Sequence, residues 1–161
     1  HKKFIVHRDL KAQNLLVTSK GRGESAYEHS LRITDFGLSC TFKPNQVLNA
    51  KVGTYTHMSP QVFNKKYTKA CDLWSCGVIL YHILSGVLPF TGMSDDEVMQ
   101  KVKRGRVMFS GGWADRSSDS VEVAQMLMHY TEDKRYTSEK ALDSKWIVTT
   151  LSKKHSARLD Y

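Results

Sequence analysis

Hydrophobic residues fall in short runs near the start of the chain and in longer helical patterns later on. Apolar runs at residues 4–6, 15–17 and 31–34 predict three short β-strands. Residues 18–30 are rich in glycine, serine and charge, which predicts a solvent-facing hairpin connection. Residues 35–69 show few periodic apolar positions and predict a long loop, and long ordered loops often carry function.

The second half of the chain predicts helices. Residues 70–85 are apolar nearly all round, which is typical of a helix buried inside a domain. Gly86 is suited to end this helix, and Pro89 follows where a helix cannot continue. Three further helices, each with an N-cap residue, are predicted at 95–104 after Ser94, 120–130 after Asp119 and 138–146 after Thr137. The fold class expected is therefore mainly α with a small β element.

Composition limits the class of protein. A chain of 161 residues that is 40% hydrophobic suits one domain with a real core. No apolar run approaches the roughly 18 residues of a membrane span, and no signal peptide is readable, so no membrane span is expected. Three cysteines are too few for a disulfide framework, which favours a reducing compartment and a cytoplasmic location.

The net charge of +8 raises the question of nucleic acid. The basic residues are scattered, however, and no aromatic residues interleave with a basic stripe. A solvated basic surface suited to phosphate-bearing ligands is the favoured interpretation, and no nucleic-acid partner is expected.

The stretch HRDLKAQN, residues 7–14, concentrates charged and polar side chains in one loop. Asp9 is a candidate general base, and Lys11 could neutralise a phosphate oxygen. Asn14 and Asp35 offer the oxygen ligands that Mg²⁺ prefers. Together these residue types are the set that phosphoryl transfer needs, since its catalysis is mostly positioning and charge neutralisation.

Four motifs in order along the chain carry a family resemblance: HRDLKAQNLL, ITDFGLS, GTYTHMSPQV and DLWSCGVILYHILSGVLPF. Together they resemble the C-terminal lobe of a eukaryotic protein kinase. The stretches VLPFTGMSDDEVMQKVKRGRVMF and DKRYTSEKALDSKWI are most similar to calcium-dependent and calcium/calmodulin-regulated serine/threonine kinases. The resemblance implies ATP and Mg²⁺ as cofactors and protein substrates as partners. It also implies a calcium-sensing module, either EF-hands in the same polypeptide or bound calmodulin.

The resemblance also implies site residues. Asp9 would accept or orient the proton of the substrate hydroxyl, and Lys11 would contact the transferred phosphate. Asn14 and Asp35 would bind the Mg²⁺ that bridges the ATP phosphates. Thr54 would close the substrate side of the site by hydrogen bonding near Asp9 and Lys11.

The resemblance also implies residues that surround the nucleotide and hold the catalytic loop. Leu16, Ile79 and Ile83 would pack under the adenine. His7 and Phe36 would belong to an apolar column that links the two lobes. Asp72 lies in an apolar helix, where an unpaired charge is costly, so it is expected to cap the backbone of the HRD turn.

Two departures from the family pattern matter. Ser59-Pro60-Gln61 replaces the usual Ala-Pro-Glu, so the expected partner of Arg135 is a neutral amide and a weakened lobe is predicted. Gln13 and His82 occupy positions where kinases directed to basic substrates often carry acids. The resemblance therefore does not imply a preference for arginine upstream of the phosphorylated residue.

Arg8 normally pairs with an anion from the following loop, yet no acid lies between Phe36 and Gln61. Three alternatives stay open: phosphorylation of a residue such as Thr41 or Thr54, an Arg8 without an anion, or an acid supplied from outside. Thr54 is the poorer phosphorylation candidate because its hydroxyl already has an implied role.

The domain interpretation is a kinase C-terminal lobe over residues 1–147, with a basic tail over 148–161 that could begin a regulatory segment. The N-terminal lobe, with its glycine-rich loop and ATP-binding lysine, would lie before His1. We therefore expect a fragment that is nearly inactive alone. The alternative functions are a pseudokinase or scaffold that keeps the fold for protein binding, and a basic nucleic-acid-binding domain, which rests on charge alone.

Overall fold

The structure is a computed structural model that describes residues 1–19 and 29–156. Two small antiparallel sheets flank the start of the chain. Strand β1 (Ile5–Val6) pairs with β4 (Cys40–Thr41), and β2 (Leu15–Ser19) pairs with β3 (His29–Ile33). The three predicted strands are confirmed, whereas β4 was not predicted. Most of the predicted hairpin connection, residues 20–28, lies outside the described residues.

Six α-helices follow within the described part of the chain: α1 (Pro60–Phe63), α2 (Cys71–Ser85), α3 (Asp95–Arg104), α4 (Ser118–Leu127), α5 (Ser138–Leu142) and α6 (Lys145–Ser156). The mainly α fold class is confirmed. None of the helices in these residues is long and apolar enough to cross a membrane. The predicted loop 35–69 is confirmed only in part, because it contains β4, α1 and a 3₁₀ turn at Tyr55–His57.

Local sequence signals fix several helix ends as predicted. The side chains of Ser94 and Thr137 accept hydrogen bonds from the backbone N–H groups three residues on, as N-caps do. Gly86 ends α2 with a φ of 80°, a left-handed conformation in which a Cβ would be strained.

Two predicted helices differ in the structure. The helix predicted at 120–130 spans Ser118–Leu127, so it begins and ends earlier than predicted. It begins earlier because Ser117 rather than Asp119 caps it: the Ser117 hydroxyl accepts from the backbone N–H of Ser120 at 3.2 Å. The helix predicted at 138–146 is two helices, α5 and α6, separated at Asp143 and Ser144. Helix α6 then continues well past the predicted end at Trp146.

Helix α2 forms the centre of the core. Trp74 is fully buried and stacks on Phe90 with ring centroids 5.8 Å apart. On another side, Gly77 faces α4 so closely that an added Cβ would lie 2.6 Å from Met128 Cγ. Because α2 is held on several sides, it is a rigid support for the loop that carries the candidate site.

Candidate active site

The loop at residues 7–14 joins β1 to β2 and is fixed to the core by one buried carboxylate. The backbone N–H groups of His7 and Arg8 donate to Asp72 Oδ2 and Oδ1 at 2.8 and 2.9 Å. His1 Nε2 lies 2.9 Å from the same Oδ2. Burial raises the pKa of Asp72, although the two backbone hydrogen bonds act in the lowering direction. The predicted capping role of Asp72 is confirmed, and it explains how Arg8 is held at a φ of 68°.

Three predicted site residues meet in one hydrogen-bonded group, the Asp9 cluster (Asp9, Lys11 and Thr54). The Thr54 hydroxyl donates to Asp9 Oδ1 at 2.6 Å. Lys11 Nζ donates to Asp9 Oδ2 at 2.9 Å and to the Thr54 hydroxyl oxygen at 3.0 Å. The cluster thus joins the loop that follows β1 to the segment that precedes α1.

The cluster keeps Asp9 charged. Burial acts to raise the pKa of Asp9, but the hydrogen bonds from Thr54 and Lys11 and the lysine charge outweigh it, so the net pKa is lowered. Asp9 is only 7% exposed, and the hydrogen bonds from Lys11 and Thr54 fix the orientation of its carboxylate. A held, ionised carboxylate can orient a hydroxyl group and accept its proton.

The candidate metal ligands lie at the ends of paired strands. Asn14 is buried, and its side-chain amide donates to the backbone carbonyl of Asp9 at 2.9 Å. The backbone N–H of Thr34 donates to the carbonyl of Asn14 at 2.9 Å, so Asp35, the next residue, begins beside Asn14. Asp35 has a φ of 58° and its Oδ1 accepts from the N–H of Gly37 at 3.3 Å.

This donor set fits a hard divalent cation. With the Asn14 amide nitrogen turned to the backbone, its oxygen is the atom free to serve as a ligand, and Asp35 adds an exposed carboxylate. One amide and one carboxylate suit Mg²⁺, which binds through few protein ligands plus water and phosphate oxygens.

The apolar residues expected near a nucleotide are placed unequally. The rings of His7 and Phe36 meet edge to face with centroids 5.0 Å apart, as the resemblance implies. Ile79 is buried, whereas Leu16 and Ile83 are 52% and 71% exposed. Leu16 and Ile83 therefore present apolar surface that the described residues leave uncovered.

Arg8 is bonded to backbone carbonyls instead of an anion. Its Nε donates to the carbonyl of Leu38 at 2.6 Å, and Nη2 reaches that of Ser39 at 3.5 Å. None of the ion pairs in the described part of the chain includes Arg8. Thr54 is engaged in the Asp9 cluster, and Thr41 is exposed on β4.

The departure at Gln61 is accommodated locally. Arg135 Nη2 donates to Gln61 Oε1 at 2.9 Å, which confirms the predicted pairing. The same guanidinium donates to the carbonyls of Ala70 and His129, and the Gln61 amide donates to the carbonyl of Tyr130 at 2.6 Å. Both ends of the amide therefore have partners.

His57 is a site residue that sequence reasoning missed. Burial lowers the pKa of His57 from 6.5 to about 4. The charge of Asp9 acts to raise this pKa, whereas the charges of Lys11 and His82 act to lower it. The imidazole is therefore neutral at physiological pH and lies within electrostatic reach of Asp9. The only sequence signal was its position three residues after Thr54, which by itself does not show which way the side chain points.

Known proteins match this arrangement over nearly the whole chain. The Protein kinase domain family matches residues 1–147. Calcium-dependent protein kinase 4 of Plasmodium falciparum (isolate 3D7) is 37% identical over 155 residues, which are 95% of this chain and 28% of that protein. Calcium-dependent protein kinase 1 of Oryza sativa subsp. japonica is 36% identical over 148 residues, or 91% of this chain and 28% of that protein.

A third relative, calcium-dependent protein kinase 5 of Plasmodium berghei (strain Anka), is 35% identical over 149 residues, covering 92% of this chain and 26% of the relative. The chain thus spans only about a quarter of the length of these relatives. The family match covers most of the chain, including the Asp9 cluster and both candidate metal ligands. The chain belongs to the protein kinase domain family.

Proposed function

We propose that the protein containing this chain transfers the γ-phosphate of ATP to serine or threonine hydroxyls of protein substrates. The observation that carries the proposal is the Asp9 cluster, in which Lys11 and Thr54 hold a charged carboxylate in one orientation. Phosphoryl transfer requires little covalent chemistry from the protein, so fixed orientation and charge are what the site must supply.

The proposed reaction assigns a role to each member of the cluster. The acceptor hydroxyl donates a hydrogen bond to Asp9, its oxygen forms a bond to the γ-phosphorus, and the bond from that phosphorus to the ADP leaving group breaks. Asp9 takes up the hydroxyl proton. Lys11, whose ammonium already bridges Asp9 and Thr54, offsets negative charge on the transferred group. Thr54 keeps the carboxylate from rotating.

Mg²⁺ and ATP are the proposed cofactors. Asn14 and Asp35 would hold the metal, which offsets the charge of the ATP phosphates when bound. Leu16 and Ile79 would contribute apolar surface near the adenine, and the exposure of Leu16 leaves it accessible to such a ligand.

Regulation by calcium is also proposed for the protein that contains this chain. It is supported by the names of the relatives, all calcium-dependent protein kinases. A calcium-sensing module, either EF-hands in the same polypeptide or bound calmodulin, would supply it. A cytoplasmic location is proposed with it, on the ground that the chain carries three free cysteines.

The test is transfer of a labelled γ-phosphate by the natural full-length protein. With Mg²⁺ and ATP we expect label on serine or threonine of a mixed protein substrate, and label loss when Mg²⁺ is chelated. Addition of a calcium-selective chelator at constant Mg²⁺ should lower the rate. ATP binding with no label on any protein would instead favour the pseudokinase or scaffold alternative.

A further inference from the structure

One stretch of the chain beside the candidate site carries charge of a single sign. Between Asp35 and Asp72 there is no acidic residue, and the stretch contains five lysines. We name residues 36–71 the lysine segment; its lysines are Lys43, Lys51, Lys65, Lys66 and Lys69. The chain has 16 acidic residues, so a stretch with five lysines and no acid differs strongly in charge from the rest of the sequence.

The lysine segment forms one side of the active site. Thr54 belongs to it and bonds directly to Asp9. Leu48 and Tyr67 exchange backbone hydrogen bonds at 2.7 and 3.1 Å, and the Tyr67 hydroxyl donates to the carbonyl of Ala50 at 2.8 Å. These contacts hold the backbone that leads to Lys51 beside the backbone that carries Lys66. The segment therefore carries Lys51 on the stretch of backbone that leads into Thr54, which contacts Asp9.

Lys51 is the best-placed cation. Its Nζ donates to the Tyr55 hydroxyl oxygen at 2.8 Å and lies 4.7 Å from the centroid of the Tyr55 ring and 5.5 Å from that of Phe63. The two rings meet edge to face at 5.3 Å, so they form an aromatic support for the ammonium. Lys51 is exposed and enters none of the ion pairs found among the described residues. It is three positions from Thr54.

Acids on neighbouring elements contact the segment away from Lys51. Glu132 accepts a hydrogen bond from the backbone N–H of Thr68 at 3.0 Å, next to Lys69. Helix α3 packs against both the 3₁₀ turn at Tyr55–His57 and α1, and it carries three acids and three bases. Its Glu97 is already paired with Lys101 at 2.7 Å. Among the acids of the described residues, Asp9 is the one whose charge acts on this turn at His57, and none of the ion pairs found there includes Lys51.

We infer that this site selects acceptor serines or threonines flanked by an acidic side chain, with Lys51 as the residue that recognises the carboxylate. The inference rests on the proposed function and narrows its substrate class. Gln13 and His82 point the same way, because neither offers a carboxylate that would attract a basic peptide. Opposite charges at a partly exposed site give specificity mainly by rejecting the wrong sign.

The first test is kinetic and uses the natural full-length protein. Peptides that share one sequence would carry Asp, Ala or Lys immediately before or immediately after a single acceptor serine. We expect kcat/KM to be about twofold to fivefold higher for Asp than for Lys on at least one side, which is within the range that exposed charge pairs give. Raised salt should reduce this ratio. Equal rates, or a preference for Lys, would overturn the inference.

Charge reversal at Lys51 tests whether this residue sets the preference. Lys51→Glu should invert the order, so that the Lys peptide becomes the better substrate. Lys140→Glu makes the same change of charge at an exposed site on α5 and should leave the order unchanged. If both variants shift the order equally, the selection reflects net charge and Lys51 has no special role.

A binding measurement separates this inference from the proposed function. Fluorescent peptides with alanine in place of the acceptor serine cannot be phosphorylated, so their affinity is independent of catalysis. Tighter binding of the Asp peptide, lost in Lys51→Glu, would support the acidic preference even if no phosphate transfer is seen. Equal binding of Asp and Lys peptides, together with equal rates, would reject the preference while leaving the kinase proposal intact.

Discussion

At the scale of single residues, Gln61 shows how a neutral side chain can serve a buried cation. Arg135 is 4% exposed, and burial lowers its pKa to about 10 although the charge of Glu132 opposes this. Backbone carbonyls and the Gln61 amide oxygen satisfy its N–H groups. The guanidinium is therefore well bonded, although none of the ion pairs found among the described residues includes it.

Two substitutions at Gln61 test this account. Gln61→Glu should raise the melting temperature, because a carboxylate adds charge attraction to Arg135 that exceeds the one hydrogen bond lost at the carbonyl of Tyr130. Gln61→Leu removes both hydrogen bonds and should destabilise by about 1–3 kcal/mol. Thermal unfolding of the two variants decides the matter: a lower melting temperature for Gln61→Glu would mean that the bond to Tyr130 dominates.

His57 gives a pH prediction. The unfolded chain takes up a proton at this residue near pH 6.5, whereas the folded protein does so only near pH 4. Between these values the unfolded state binds more protons, so stability from this group is complete above pH 6.5 and is lost as the pH falls toward 4. Removal of the histidine should weaken this dependence.

The measurement compares melting temperatures at about pH 7.5 and about pH 5 for wild type and His57→Gln. We expect the wild type to lose more stability on acidification than the variant. His129→Gln, at a half-buried histidine with no role in the site, serves as the matched control. An equal drop in wild type and His57→Gln would show that His57 does not titrate as described.

At the scale of elements, sequence patterns predicted the helices that are long or that begin with an N-cap residue. The apolar run at 70–85 and the caps Ser94 and Thr137 were sufficient to predict α2 and the starts of α3 and α5. Strand β4 was missed because two residues carry no period, and it exists only through its pairing with β1. The choice of Ser117 over Asp119 as a cap depends on backbone geometry that composition does not show.

The contact between α2 and α4 gives an element-level prediction. A Cβ on Gly77 would lie 2.6 Å from Met128 Cγ and 2.9 Å from Leu127 Cβ, so Gly77→Ala forces the helices apart. Alanine favours a helix by about 1 kcal/mol over glycine, but overpacking costs typically 1–3 kcal/mol. We expect a net loss of stability in chemical denaturation. His82→Ala, on the exposed side of α2, should be neutral; a stabilised Gly77→Ala would contradict the packing.

At the scale of the whole molecule, the long-range meeting of separate motifs makes the site. Asp9 and Lys11 are close in sequence, but their bonds to Thr54 depend on the lysine segment folding back over α2. The resemblance supplied that pairing and the capping by Asp72. It could not supply the positions of His57 and Lys51, because they follow from side-chain directions within an irregular segment. The geometry of the site therefore depends on the hydrogen bonds from the loop at residues 7–14 to Asp72 and on the bond between Thr54 and Asp9.

The central claim is that Asp9 is the residue on which phosphate transfer depends. Its most direct test is the turnover of the natural full-length protein with Asp9→Asn, measured beside ATP affinity and melting temperature. Asp115→Asn, the same change at an exposed residue outside the site, is the control.

We predict that kcat falls by about 10²–10⁴ in Asp9→Asn, since the amide cannot accept the hydroxyl proton, while ATP affinity and folding stay close to wild type. Unchanged turnover in a folded, ATP-binding Asp9→Asn protein would contradict the account.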